Sequence, residues 1–164
     1  MDTTKKITRA GIIASLYVVL VFPVISFASG MIQFRPSEAL CVLPLFFVEA
    51  VPALAIGCML ANLITGCAIL DIVGGAVITL VASALTYLVG KTIKGTVARL
   101  FIGGLFPVLL NALFLPLIWY FAYGELQVLY IFNVLSIFVS QAISVWGLGA
   151  IIVYANSKWA QFAL

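Results

Sequence analysis

Long apolar stretches alternate along the chain with short segments that contain charged residues, glycine or proline. Five apolar blocks cover about residues 10–29, 38–66, 72–90, 100–122 and 128–155. A membrane-spanning helix needs about 20 predominantly apolar residues, so every block can hold at least one helix. The pattern therefore predicts an all-α integral membrane protein.

The second block, residues 38–66, has two interpretations. It could form one long kinked helix, or two short helices joined by a turn near Glu49 to Pro52. Pro52 suits the first turn of a new helix, where its missing amide hydrogen costs nothing. The proline favours the hairpin, and the distribution of basic residues decides between the two.

Basic residues collect in cytoplasmic loops of membrane proteins. The hairpin leaves Arg35 alone outside and puts these residues inside: Lys5, Lys6, Arg9, Lys91, Lys94, Arg99 and Lys158. A single helix would move three of them outside, against the rule. We therefore predict one membrane domain, residues 1–164, with both termini cytoplasmic and six transmembrane helices at about residues 8–29, 38–49, 52–66, 72–90, 100–122 and 128–155.

The composition supports the membrane class, since 65% of the residues are hydrophobic and only 8% are charged. Globular proteins carry about 25% charged residues. The chain has no histidine, which removes the commonest metal ligand and proton switch. Cys41, Cys58 and Cys67 show no CxxC spacing and are predicted to be buried free thiols. No catalytic arrangement is present, so we expect no enzyme activity, metal or nucleic-acid partner.

A polar pocket open to the outside is predicted from the positions of the few polar residues. The two hairpin helices are too short to cross a core of about 30 Å. The loop with Phe34, Arg35 and Pro36 is therefore expected to dip into the protein, because irregular backbone at that depth must be shielded. Other polar residues that converge on the outer half, facing the bundle interior, are Glu38, Asn62, Asp71, Asn111, Asn133 and Gln141.

Three segments carry a resemblance to a known family: "FRPSEALCVLPLFF", "IGCMLANL" and "DIVGGAVITLVASALTYL". They resemble the queuosine-precursor branch, QueT, of the substrate-binding (S) components of energy-coupling factor (ECF) transporters, and the resemblance covers essentially the whole chain. It implies capture of a 7-deazaguanine-type queuosine precursor at the cell membrane. It also implies two partner types: an EcfT-type transmembrane coupling protein that docks at Ala10 and Ala14, and two ATPase subunits that use the ATP. The S component itself would need no cofactor and would topple in the membrane to deliver its substrate.

The chemistry of a deazaguanine suggests roles for the predicted pocket residues. Glu38 or Asp71 could accept from the adjacent N–H donors of the ring, since such charge-assisted bonds are strong. Donors to the ring carbonyl could be Arg35, Asn62 or Asn111, and stacking side chains could be Phe34, Trp119 or Trp146. Asn133 and Gln141 complete the predicted substrate-binding set.

Structural roles are the alternatives for the same residues. Arg35 and Glu38 could form an ion pair that only holds the loop, and Asp71 could cap a helix. Amide side chains could join helices, and Trp119 could belong to the interfacial aromatic belt. The alternative functions are an S component for a flavin, thiamin or another purine-like base, or a membrane assembly protein that transports nothing.

Overall fold

The computed structural model describes residues 3–24, 35–124 and 129–162. The described residues are helical almost throughout and include no β-strand, which confirms the all-α prediction. We number their main helical segments α1 (Thr3–Val21), α2 (Pro36–Leu45), α3 (Ala50–Ile64), α4 (Ile69–Thr92), α5 (Thr96–Tyr123) and α6, which joins Tyr130–Ala142, the π-helical Ile143–Leu148 and Gly149–Phe162.

Three of the described helices are both long and apolar enough to cross a membrane. They are Ile69–Thr92, Thr96–Tyr123 and Tyr130–Asn156, and the helices at Pro36–Leu45 and Ala50–Ile64 are apolar but shorter. Large apolar side chains stay exposed on the long helices, as Ile69 and Phe121 do, and these suit contact with lipid tails. The fold is therefore that of a multi-pass membrane protein. Six spans and cytoplasmic termini stay predictions.

The structure divides the second apolar block into two helices, α2 and α3. The start of α2 contacts Tyr17 in the second half of α1, whereas Phe47, just beyond its end, contacts Arg9 near the start of α1. Consequently α2 runs antiparallel to α1. Glu49 contacts Arg9, and Gly57 contacts Tyr17, so α3 runs parallel to α1. Together α2 and α3 form the hairpin that the basic residues favour.

Helix α2 is a 3₁₀ helix, ten residues long, at the centre of the bundle. Pro36 stands in its first turn, and its first backbone bond runs from Glu38 N to Arg35 O. Near its other end Pro44 has no amide hydrogen to donate, and the helix ends at the next residue. It packs against all the other numbered helices. The predicted helix at residues 38–49 thus starts and ends earlier in the structure.

Glycines allow this close packing. A Cβ at Gly57 would lie 2.8 Å from the Cβ of Tyr17 and 3.1 Å from the carbonyl oxygen of Ala14. A Cβ at Gly149 in α6 would lie 2.8 Å from Val42 of α2. At both positions any side chain would push two helices apart, since a packed core tolerates little added volume.

Basic residues lie together at one end of the bundle. The backbone of Leu45 packs on Gly90, which brings the turn after α2 to the level of the α4–α5 connection. In the same turn Glu49 accepts a 2.7 Å bond from Arg9, whose guanidinium also lies 4.2 Å from the ring centroid of Phe47. Lys91 and Lys94 follow Gly90 directly, so these charges share the end at which α1 begins.

We expect Arg9 and Glu49 to be energetically coupled. Glu49 is 9% exposed and Arg9 32% exposed, so each single change, Arg9→Met or Glu49→Gln, should lower the free energy of unfolding by about 1–3 kcal/mol, between the ranges for exposed and buried pairs. The double variant should lose clearly less free energy of unfolding than the two single variants together. Thermal or denaturant unfolding in detergent measures these losses. Lys94→Met, at an exposed residue of the same end, is the control with no expected change. Strict additivity would contradict the coupling.

Candidate functional site

A carboxylate buried in the middle of the bundle organises the candidate site. Glu38 is 2% exposed. Its Oε1 accepts a 2.6 Å hydrogen bond from the Tyr17 hydroxyl of α1, and its Oε2 accepts bonds of 3.2 Å from Asn111 Nδ2 of α5 and from the Cys41 thiol. Three donors on α1, α2 and α5 therefore converge on one side chain.

A positive charge lies beside this carboxylate. Arg35 directly precedes α2 and is partly buried. Its guanidinium interacts electrostatically with Glu38 and also with Asp71 at the start of α4. With all three groups ionised, two carboxylates face one guanidinium, so the cluster has a formal charge of −1.

Asp71 forms the second part of the site together with α3. Asn62 Nδ2 donates a 3.2 Å bond to the backbone oxygen of Asp71 and lies 3.9 Å from Cys58 Sγ. Gly75, one helical turn after Asp71, packs closely against this pair: a Cβ there would lie 3.0 Å from Asn62 Nδ2 and 3.9 Å from Asp71 Oδ1. The capping residue of α4 is Ala68, so Asp71 does not act as the predicted helix cap.

Several buried polar atoms have no hydrogen-bond partner among the described residues. They are Ser37 Oγ, Asp71 Oδ1, Ser83 Oγ, Gln141 Oε1, Ser144 Oγ and Trp146 Nε1. Buried polar groups are normally satisfied, and each exception calls for an explanation. Asp71 Oδ1, which belongs to the cluster at Arg35, therefore has capacity for a further hydrogen bond.

One family model matches the chain. It is that of the QueT transporter, and it matches residues 7–158, nearly the whole length. The chain belongs to the QueT transporter family. No curated protein and no solved structure matches it. A member of the QueT family is a transporter and not an enzyme.

The structure brings four of the predicted site residues of this QueT family member into one cluster: Arg35, Glu38, Asn111 and Asp71, with Asn62 next to Asp71. The other predicted site residues lie outside this cluster. Trp119 is partly buried against the core formed by Ala112, Leu115 and Ile137, Asn133 is partly buried on α6, and Gln141 is buried with an unpartnered Oε1. Phe34 lies outside the described residues.

The two predicted docking residues face partly inward. Ala10 and Ala14 are half-buried and pack against the core between α1 and α3. The exposed side of α1 carries Gly11 and Ser15 instead, and a Cβ at Gly11 would meet nothing within 4 Å. The exposed small-residue surface of α1 therefore includes Gly11 and Ser15 beside the two alanines.

Sequence reasoning missed Tyr17 and Gly75. Tyr17 is one aromatic residue in an apolar run, yet it is 1% exposed. A buried tyrosine hydroxyl almost always has a hydrogen-bond partner, and this was the available signal. Nothing in the sequence relates Gly75 to Asn62 or Asp71.

No group of three or more His, Cys, Asp or Glu side chains that could hold a metal ion exists in the part of the chain that the structure describes. Cys41 and Cys58 are buried free thiols and Cys67 is a partly buried one. The site thus offers carboxylate, amide, hydroxyl and guanidinium groups. These recognise a polar organic molecule through hydrogen bonds and charge.

We expect Tyr17→Phe to destabilise the protein, because it leaves Glu38 Oε1 buried without its hydroxyl donor. The loss should be about 1–3 kcal/mol in the free energy of unfolding, the usual cost of an unsatisfied buried group. Tyr120→Phe, at a half-exposed tyrosine of α5, is the matched control and should unfold like the parent. Thermal unfolding in detergent measures both. Equal melting temperatures for all three proteins would show that the Tyr17 hydroxyl contributes nothing to stability.

Proposed function

We propose that the chain is the substrate-capture S component of an ECF-type importer, and that it binds a queuosine precursor of the 7-deazaguanine type. In this proposal it takes the substrate from outside the cell. An EcfT-type coupling protein and two ATPase subunits then drive a toppling movement that delivers it to the cytoplasm. The ATP is used by those partners and not by this chain.

The observation that carries the proposal is the buried polar cluster at Glu38, Arg35 and Asp71 with the unpartnered Oδ1 of Asp71. A deazaguanine is flat, has adjacent N–H donors on one edge, and has a carbonyl acceptor beside them. The cluster offers carboxylates for the donors and amide or guanidinium groups for the carbonyl. A membrane assembly protein would need polar groups that satisfy one another, and these do so only in part.

Binding by the purified protein is the direct test. We expect 7-deazaguanines to bind without ATP or any partner, and flavins and thiamin not to bind. Trp119 and Trp146 are partly buried, so tryptophan fluorescence should report the titration and calorimetry should give the dissociation constant. Arg35→Ala should weaken binding by at least about 30-fold, the lower range for the loss of one member of a buried charged pair.

Three results would contradict the proposal in different ways. Selective binding of a flavin or thiamin would assign a different substrate to the same class of subunit. No binding of any panel member by well-folded protein would favour an assembly role. Unchanged 7-deazaguanine affinity of Arg35→Ala would show that the guanidinium does not contribute to substrate binding.

Docking on the coupling protein is proposed to use the small-residue face of α1. Ala10 and Ala14 contribute their partly exposed surfaces, and Gly11 and Ser15 are fully exposed beside them. Small residues allow two membrane helices to approach closely. A large side chain at Gly11 would block that approach without meeting anything inside the protein.

We expect Gly11→Leu to reduce co-purification of the coupling protein and ATPases at least several-fold while melting temperature and ligand affinity stay unchanged. Ala14→Leu is less informative, because Ala14 packs close to Gly57 and the variant should also melt at a lower temperature. Leu16→Ala, on the exposed part of the same helix, controls for loss of apolar surface. If Gly11→Leu still co-purified normally with the coupling protein and ATPases, docking through this face of α1 would be wrong.

A further inference from the structure

We propose that Asp71, and not Glu38, is the carboxylate that binds the substrate, and that it accepts hydrogen bonds from the edge of the ring that carries adjacent N–H groups. Glu38 instead holds the site together. This assignment rests on the proposed function and adds the residue that determines specificity. From the sequence, Glu38 and Asp71 are equivalent candidates for this role. The structure distinguishes them by their hydrogen bonds.

Glu38 has little capacity left for a ligand. Both of its oxygens already accept hydrogen bonds, from Tyr17 at 2.6 Å and from Asn111 and Cys41 at 3.2 Å. To bind a substrate it would have to release a donor that is itself buried. A buried donor without an acceptor costs about as much as the new bond would contribute.

Asp71 is in the opposite situation. It is 3% exposed, and its Oδ1 has no partner among the described residues. Its backbone is nevertheless held in place, since its carbonyl accepts the amide of Asn62 and its own N–H bonds to Ala68 O. The side chain is therefore positioned without being satisfied, which is the arrangement expected of a group that completes its hydrogen bonds with a ligand.

The surroundings of Asp71 place its unpartnered oxygen beside a glycine and other polar groups. A Cβ at Gly75 would lie 3.0 Å from Asn62 Nδ2 and 3.9 Å from Asp71 Oδ1, so both atoms border the same glycine at the α3–α4 interface. A planar heterocycle with an amidine-type edge, N–H next to N–H, presents the complementary donors.

Charge favours the same assignment. Glu38, Asp71 and Arg35 together carry a formal charge of −1 when all are ionised, and a buried net charge is costly until it is compensated. Arg35 interacts with both carboxyl groups, and N–H donors of the substrate add hydrogen bonds at Asp71 Oδ1, which has none among the described residues. Hydrogen bonds to an ionised acceptor are roughly twice as strong as neutral ones.

The test compares Asp71→Asn with Glu38→Gln, since both keep the shape of the side chain and remove its charge. The ligands are 7-deazaguanine and 7-deazahypoxanthine, which is the same ring without the exocyclic amine. For Asp71→Asn we expect 7-deazaguanine affinity to fall at least about 30-fold. Affinity for 7-deazahypoxanthine, already weak in the parent, should fall less than about tenfold, because the main donor to Asp71 is absent.

Melting temperature separates this role from a structural one. Ligand-free Asp71→Asn should melt close to the parent temperature, because Asp71 Oδ1 makes no hydrogen bond within the described residues that the change would break. Glu38→Gln should melt below it, because a satisfied network is disturbed. An Asp71→Asn protein that melts lower and loses both ligands equally would overturn the assignment, and so would one that binds 7-deazaguanine normally. A parent protein that binds neither ligand would overturn the proposed function and this assignment together.

Discussion

The buried carboxylate of Glu38 is the constraint on which the rest of the structure depends. A carboxyl group in an apolar bundle is tolerated only if hydrogen-bond partners surround it. Tyr17 and Asn111 provide two of them from α1 and α5, so the register of both helices relative to α2 is determined by one side chain. Apolar packing alone would specify this register poorly, because lipid and neighbouring helices are equally apolar.

Close packing by glycine makes that central position of α2 possible. Without side chains at Gly57 and Gly149, α1 approaches α3 and α6 approaches α2. Gly75 of α4 belongs to the same pattern, because a Cβ there would lie 3.0 Å from Asn62 Nδ2 of α3. Glycine thus brings α3 and α4 close together beside Asp71, as it brings the other helix pairs together.

The sequence predicted the class of protein, the helical hairpin and the charged and amide residues of the polar cluster but not Tyr17, because charge and hydropathy act locally and leave a direct pattern. It did not predict how Glu38 and Asp71 differ. That difference depends on donors far away in the chain, since Tyr17 is 21 residues and Asn111 73 residues from Glu38. It also missed the inward direction of Ala14, because the face of a helix that meets a neighbour is decided by that neighbour.

The two ends of the bundle differ in a way that bears on transport. Asp71 precedes Gly90 by 19 residues of α4, roughly 28 Å along the helix axis. At the Gly90 end, Arg9 and Glu49 join α1 to the turn between α2 and α3. Opening that end for release would break a largely buried ion pair and the packing of Leu45 on Gly90. A movement of the whole protein in the membrane would leave both intact. The physical cost of opening therefore favours the proposed toppling over rocking of two halves about a fixed site.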